Sequence, residues 1–385
     1  MSDTRDGMRW VAFLLVCAAY LAVTAGESIL SPIYPLVADD LDLDLAQAGL
    51  AFAVLAVSIA IFNIVGGLLL RRLATNRVLT LALLTTAVGS AIASTADGRP
   101  AFYVAQVFLG AGAGGLYAGG VMAVGVLAGP ERRGRAMAVF GVFFSGGLVL
   151  AAGLAALGTQ LSWRWTYGIA ALLAALAAMA MAGLTDMPRA ATAGPLFSGL
   201  RAVLGTPTLV GVVAGVSQYA TVSFLPVFAV DVWDLSEAGA AGLLAIGRVL
   251  SVPAKLVSGA AADRIGPTRT GRLTGIVLAG AGLVWALAPT VWIAAAAAVV
   301  FTAEVSALFP LANLLAFERV GTRTPALGAF RSLQLGSAAL AGVVIGAAAE
   351  AAGLRPTVAV VGALPVVLVA SSSRTVSTPE KQAAA

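Results

Sequence analysis

The chain has 385 residues, of which 60% are hydrophobic and 11% charged, with a net charge of +5 and a mean hydropathy of +0.97. A water-soluble fold of this composition could not cover its surface with polar side chains, so the chain is read as an all-α polytopic membrane protein. It has no histidine and one cysteine, Cys17, which leaves no disulfide framework and no histidine-bearing metal site; no cofactor and no metal are expected.

Apolar stretches long enough to cross a bilayer recur along the chain with polar punctuation. Six are predicted at Trp10 to Ile33, Ala46 to Leu70, Val78 to Ala96, Ala101 to Ala128, Ala136 to Gln160 and Thr166 to Leu184. Six more follow at Leu209 to Val230, Ala238 to Ala262, Leu273 to Ala288, Val291 to Leu315, Pro325 to Ala349 and Leu354 to Ala370. The ninth and twelfth are short enough for one of them to be tilted or re-entrant. The first is too long for the apolar core of a signal peptide and is read as a retained helix, with Cys17 packed inside it. Between the two sets, residues 185–206 carry Pro188, Gly194, Pro195, Ser198 and Gly199 and read as a linker joining halves 1–184 and 207–385.

Arginine placement orients these segments, because cytoplasmic loops of membrane proteins collect positive charge. With both termini inside, 17 of the 23 basic residues fall on the inner side, among them Arg71, Arg72, Arg133, Arg135, Arg264 and Arg269. The outer loops keep Arg99, Arg164 and Arg355, and the first of them holds Asp39, Asp40, Asp42 and Asp44 with no base. The basic character therefore reflects orientation in a lipid bilayer rather than nucleic-acid binding. Abundant Ala and Gly with Arg far above Lys suggests a GC-rich bacterium and its cytoplasmic membrane.

One polar turn stands between the eighth and ninth segments, Gly259-Ala-Ala-Ala-Asp263-Arg264-Ile265-Gly266-Pro267-Thr268-Arg269. Glycine lets two helices approach closely, Gly-Pro favours a tight turn, and an acid there can face a helix N-terminus. The pattern G-x-x-x-D-R-x-G-x-x-R, met here by Gly259, Asp263, Arg264, Gly266 and Arg269, resembles the signature loop of the major facilitator superfamily of secondary transporters. The stretch Pro130-Glu131-Arg132-Arg133-Gly134-Arg135 resembles that family's basic loop before helix 5, and Trp163-Arg164-Trp165 its start of helix 6, where interfacial anchoring is the simplest role. Gly67 to Arg72 also echoes Gly259 to Arg264, the weak symmetry expected of two six-helix halves. The departures are specific: Arg71 stands where the first-half loop should carry an acid, Gln106 where proton-linked members carry an arginine in helix 4, and helix 5 has glycines but lacks the G-P-x-x-G-G element associated with antiporters.

The resemblance implies twelve helices in two pseudo-symmetric six-helix bundles, a monomer, and a central cavity lined by helices 1, 4, 7 and 10. By that analogy Glu27, Gln106, Gln218, Tyr219 and Glu304 face the cavity. Polar groups within hydrocarbon are costly and need a partner or a wet cavity, which also singles out Arg248, Lys255, Arg331, Gln334 and Asn63. Arg248 lies about 16 Å into its helix, too deep to snorkel, so either Glu304 pairs with it permanently or a substrate supplies the anion. Arg331 and Lys255 are closer to the inner face, where snorkelling is the plain reading. A membrane enzyme would need a catalytic constellation, and neither G-x-S-x-G nor H-E-x-x-H occurs; a sensor would need a further domain to signal through. The chain is therefore read as a transporter of a small molecule by alternating access, leaning to a small organic anion, with proton-coupled efflux of drugs or natural products as the alternative. Any proton coupling is expected to pass through Glu27 or Glu304, and Asp263 is expected to face the start of helix 5 as a gate.

Overall fold

The computed structural model describes residues 2–371 except 44, 186, 188 and 190–199, so most of the predicted linker lies outside the described residues. The described residues are almost wholly helical, with no strand among them.

The first group of helices comprises α1 (Ser2–Ser28), α2 (Leu30–Asp40), α3 (Leu45–Leu69), α4 (Thr75–Ser94), α5 (Arg99–Leu127), α6 (Arg133–Gln160) and α7 (Trp163–Ala182). After the short α8 (Leu200–Val203) come α9 (Thr206–Tyr219), α10 (Leu225–Asp231), α11 (Glu237–Ile265), α12 (Pro267–Leu287), α13 (Val291–Val320), α14 (Thr324–Ala352), α15 (Leu354–Ala363) and α16 (Val366–Ser371). Among the described residues nine helices are long and apolar enough to cross a membrane. The 29-residue α14 and two interrupted passes complete twelve.

Each interruption has a local cause. Proline lacks the N–H that would bond four residues back, and its ring crowds that carbonyl. Pro32 accompanies the break between α1 and α2, Pro226 follows the π turn Ala220–Phe224 that joins α9 to α10, and Pro365 separates α15 from α16. The ninth segment is not short: Pro267 at its first turn extends it to 21 residues, a full crossing, whereas the twelfth is the broken one. Gly266 takes φ +87°, so the chain reverses between α11 and α12 in a conformation that a side chain resists.

Within the first group α5 is the hub, packed on α3 and α4. Its glycines permit this: a Cβ on Gly110 would stand 2.6 Å from the backbone oxygen of Leu55 on α3, and one on Gly89 of α4 would stand 2.8 Å from the Leu109 nitrogen of α5. In the second group α13 packs on α11, α12 and α9, with α15 against α12. The outer surface presents large exposed apolar side chains, such as Leu14, Val57, Leu84, Val257, Leu340 and Val360, as a lipid-facing belt requires.

The groups meet through α3 against α14, α6 against α11 and α13, and α5 against α14. These contacts concentrate at the arginine-rich end. Ser332 Oγ of α14 donates to Ala60 O of α3, and Gly328 of α14 abuts the backbone of Asn63. Phe317 of α13 fills the space beside Gly125 of α5. Toward the other end a Cβ on Gly153 of α6 or Gly242 of α11 would meet nothing within 4 Å. Among the described residues, the hydrogen bonds and close approaches between the groups all lie toward the arginine-rich end, which gives the two groups the form of a V closed there.

Candidate substrate cleft and gate

The closed end is held by the last turns of α11 against the first turn of α6. Asp263 Oδ1 accepts from the Gly134 backbone N–H at 2.6 Å, and Oδ2 accepts from that of Arg135 at 3.1 Å. These are free donors of a helix N-terminus, where the dipole also favours an acid. The Arg135 side chain lies 3.6 Å from Oδ2, but it is half exposed while the carboxylate is buried, so the backbone bonds carry the contact. Gly259 makes the approach possible: a Cβ there would stand 2.6 Å from Gly134 O and 2.5 Å from the Ala138 methyl. Alongside, the Arg133 guanidinium lies 5.3 Å from the centre of the Phe317 ring and donates to Gly125 O. Arg264 and Arg269 are exposed at the tip and make no ion pair among the described residues.

Further into the V, Lys255 of α11 donates to Gly141 O at 3.2 Å and to Ser145 Oγ, both on α6. Pro310 of α13 packs against Gly141 beside it.

A second polar cluster joins the two groups. Tyr117 of α5 donates its hydroxyl to Glu27 Oε1 of α1, and the Arg331 guanidinium of α14 lies 5.0 Å from the centre of the Tyr117 ring. Arg331 Nη1 donates to Gln334 Oε1 at 2.5 Å and reaches Asn313 Oδ1 at 3.4 Å. Tyr20, two turns before Glu27, crosses Tyr117 edge to face at 5.5 Å and stacks on Phe140 at 4.0 Å, with Phe144 at 5.5 Å. Three enclosed atoms here, Glu27 Oε2, Arg331 Nε and Gln334 Nε2, have no partner among the described residues. The arrangement can hold a carboxylate and a guanidinium a ring's width apart and change its bonding when either gains a partner.

The sequence profile of the Major Facilitator Superfamily matches residues 16–342. The chain belongs to the Major Facilitator Superfamily. Among solved structures, it is similar to the superfamily transporter FucP in the outward conformation, with a TM-score of 0.80 and 19% identity over 94% of this chain and 97% of that one. FucP is elsewhere described as the E. coli fucose:proton symporter. The human organic anion transporter MFSD10 matches with a TM-score of 0.78 and 16% identity, over 94% of this chain and 99% of that one. The proton:xylose symporter XylE matches at 0.78 and 12% identity, over 94% and 95%. At these identities the likeness is one of fold. No curated protein matches in sequence.

Within this superfamily fold, several residues lie differently from the sequence expectation. Arg248 and Glu304 form no ion pair: Gly247 of α11 packs directly on Thr302 of α13, which turns Arg248 off that interface, and it is exposed. Lys255 and Arg331 do not snorkel; each is enclosed and bonded, at 3% and 4% exposure. Gln106 is fully buried rather than cavity-lining. It lies one turn from Phe102, whose ring packs on Trp163 and Tyr167 of α7, so its face of α5 turns into the first group. Tyr219 packs beside Ala341, Ile345 and Val361 of α14 and α15, and Gln218 is half-buried with no side-chain hydrogen bond among the described residues. Glu304 is half-buried and unpaired. Trp163 is buried, donating Nε1 to Asp40, while Arg164 pairs with the same carboxylate at 2.7 Å; of that triplet Trp165 alone is exposed to act as an anchor.

Tyr20, Tyr117 and Asn313 were missed as site residues, and Ser145 as the acceptor that holds Lys255 in this conformation. Tyr20 lies seven residues from Glu27, a same-face signal, but nothing local to Tyr117, Ser145 or Asn313 distinguishes them from other polar groups in apolar helices.

Proposed function

We propose that the chain is a secondary active transporter that moves a small organic anion by alternating access between halves 1–184 and 207–385. It acts as a monomer in a bacterial cytoplasmic membrane with both termini inside, and this conformation is open to the outside. The observation that carries the reading is Arg248. It stands eleven residues into α11, shares a stripe of the helix with Lys255 and Gly259, which meet α6, and is exposed where α6 has drawn away. An arginine at such depth costs about 2.5–3.5 kcal/mol in lipid even on the lowest scales, so a wet cleft and an anionic visitor suit it. Its planar fork matches a carboxylate with two parallel bonds. Asp263 and its α6 donors act as the inner gate. Glu27, rather than the unpaired Glu304, carries the coupled proton, with Tyr117 as its donor and Arg331 as the charge across the halves.

Purified protein in proteoliposomes, given radiolabelled benzoate, lactate and succinate, tests this. Arg248→Lys should reach the membrane and lose about tenfold or more in apparent affinity, the worth of a charged hydrogen bond. Arg248→Ala combined with Glu304→Ala should stay as defective as Arg248→Ala; rescue by the double variant would return Arg248 to a structural role.

Phe144, partly exposed beside the buried Tyr20 and Phe140, favours a second reading, efflux of a flat hydrophobic compound. Flux of an aromatic cation with no response to the three anions would select it.

A further inference from the structure

Lys255 is left over from both the gate and the cleft. The chain has only two lysines, Lys255 and Lys381, against arginine at every other basic position. Lys255 is 3% exposed, yet an ammonium has three donors and the structure supplies two acceptors, Gly141 O and Ser145 Oγ, both neutral and both on α6. No carboxylate pairs with it. On α6 the charged residues are Arg133 and Arg135 at its start; α13 carries Glu304, Glu318 and Arg319; on its own helix the nearest acid toward the arginine-rich end is Asp263, already held by α6. Arg248 lies two turns away on the same stripe of α11, about 10 Å toward the open end.

We infer that Lys255 is a second anion site, sealed in this conformation, which receives a small carboxylate from Arg248 when α6 and α11 part at the arginine-rich end. The inference rests on the reading of Arg248 as substrate anchor. While the V is closed at that end, α6 occupies Lys255 and Arg248 is the exposed cation of the stripe. Parting the helices takes Gly141 and Ser145 away together, because both belong to the other half. The ammonium is then left in a low-dielectric cleft without its acceptors, and an anion is the partner that compensates it best. Lysine suits release: a point charge on a flexible stem holds a carboxylate without the two-bond geometry that arginine imposes. The anion thus meets the arginine from one side of the membrane and the lysine from the other.

The test is amine-reactive labelling of Lys255 in proteoliposomes, read by mass spectrometry, with benzoate as probe. Lys255 should resist the reagent in the wild type, become reactive in Asp263→Asn, and be protected there by benzoate. In flux, Lys255→Gln should keep the benzoate affinity measured from the Arg248 side and lose about tenfold from the arginine-rich side. Ser145→Ala removes a bond from the ammonium but keeps its charge, so its affinity on the arginine-rich side should be unchanged. If the two variants behave alike, Lys255 is only a latch and the second site is overturned; the same follows if Lys255 stays unreactive in Asp263→Asn or if benzoate fails to protect it. Should Lys255→Gln not reach the membrane, the labelling arm on the other two proteins decides. If benzoate, lactate and succinate are neither bound nor moved by the wild type, the anchor reading of Arg248 fails and takes this site with it; Arg248-dependent flux with an unprotected Lys255 removes the second site alone.

Discussion

Glu27 is bonded by one donor, the Tyr117 hydroxyl, while its second oxygen is enclosed without a partner. A carboxylate so placed is stabilised when charged first by the Tyr117 hydroxyl and then by Arg331 across the Tyr117 ring, and Arg331 sits on the other group of helices. Under the proposed coupling, proton occupancy of Glu27 and the relation between the halves are linked, since separating α5 from α14 would remove the guanidinium from the ring. Glu27→Gln preserves shape and one acceptor while fixing the uncharged form. A one-unit pH gradient, which through one coupled proton supports about tenfold accumulation on the alkaline side, should drive none in this variant, although exchange of labelled for unlabelled anion continues. Accumulation that survives the substitution would place the coupling elsewhere, with Glu304 the next carboxylate to test.

At the scale of the element, α6 and α11 are matched by small residues at one end and released at the other. Gly259 and Gly134 touch backbone to backbone, and Gly141 receives the Pro310 ring, whereas Gly153 faces open space. Gly259→Ala would drive a methyl into Gly134 O and the Ala138 methyl, an overpacking of about 1–3 kcal/mol directed at the closed interface. Thermal unfolding should fall and the arginine-rich end should open more often. Gly153→Ala adds a methyl to empty space on α6 and should be neutral or slightly stabilising, because alanine favours helix over glycine by up to about 1 kcal/mol. Equal effects from the two substitutions would contradict the asymmetric packing. Elsewhere the element breaks accompany prolines, as the π turn before Pro226 does.

For the whole molecule, the proposed alternating access makes the V one of two arrangements of the same halves, with Asp263 expected to weight the balance. Its two backbone bonds exist only while α6 and α11 meet, so they contribute to one state and not to the other. At about 1.5–3 kcal/mol for a charged hydrogen bond, losing one is worth tenfold or more in the population ratio. Asp263→Asn keeps the side-chain shape but turns one acceptor into a donor and leaves the other uncharged, and spin-label distances between the arginine-rich ends of α6 and α11 should lengthen in a correspondingly larger fraction of molecules. An unchanged distance distribution with unchanged flux would remove Asp263 from the gate. Arg133 on Phe317 and Ser332 on Ala60 also join the two groups in this arrangement.

The amino-acid sequence alone determined the membrane class, the twelve passes and the superfamily, because these depend on composition, on the length of apolar runs and on one local turn whose residues are adjacent in the chain. It also marked Arg248, Glu27, Lys255 and Arg331, since a charge within an apolar run is visible without knowing its surroundings. Which of them meet was decided by the tertiary structure. In a bilayer the lipid-facing and protein-facing sides of a helix are both apolar, so the 3.6-residue signal that orients a helix in water is lost. Hence the expected pair of Arg248 with Glu304 is absent, Gln106 turns into its own bundle, and Tyr117 gains its role from Glu27 on α1 and Arg331 on α14, residues 90 positions before it and more than 200 after it. The rotation of each helix is set by where small residues let backbones touch, and that is a property of pairs of helices, which no single stretch of the chain contains.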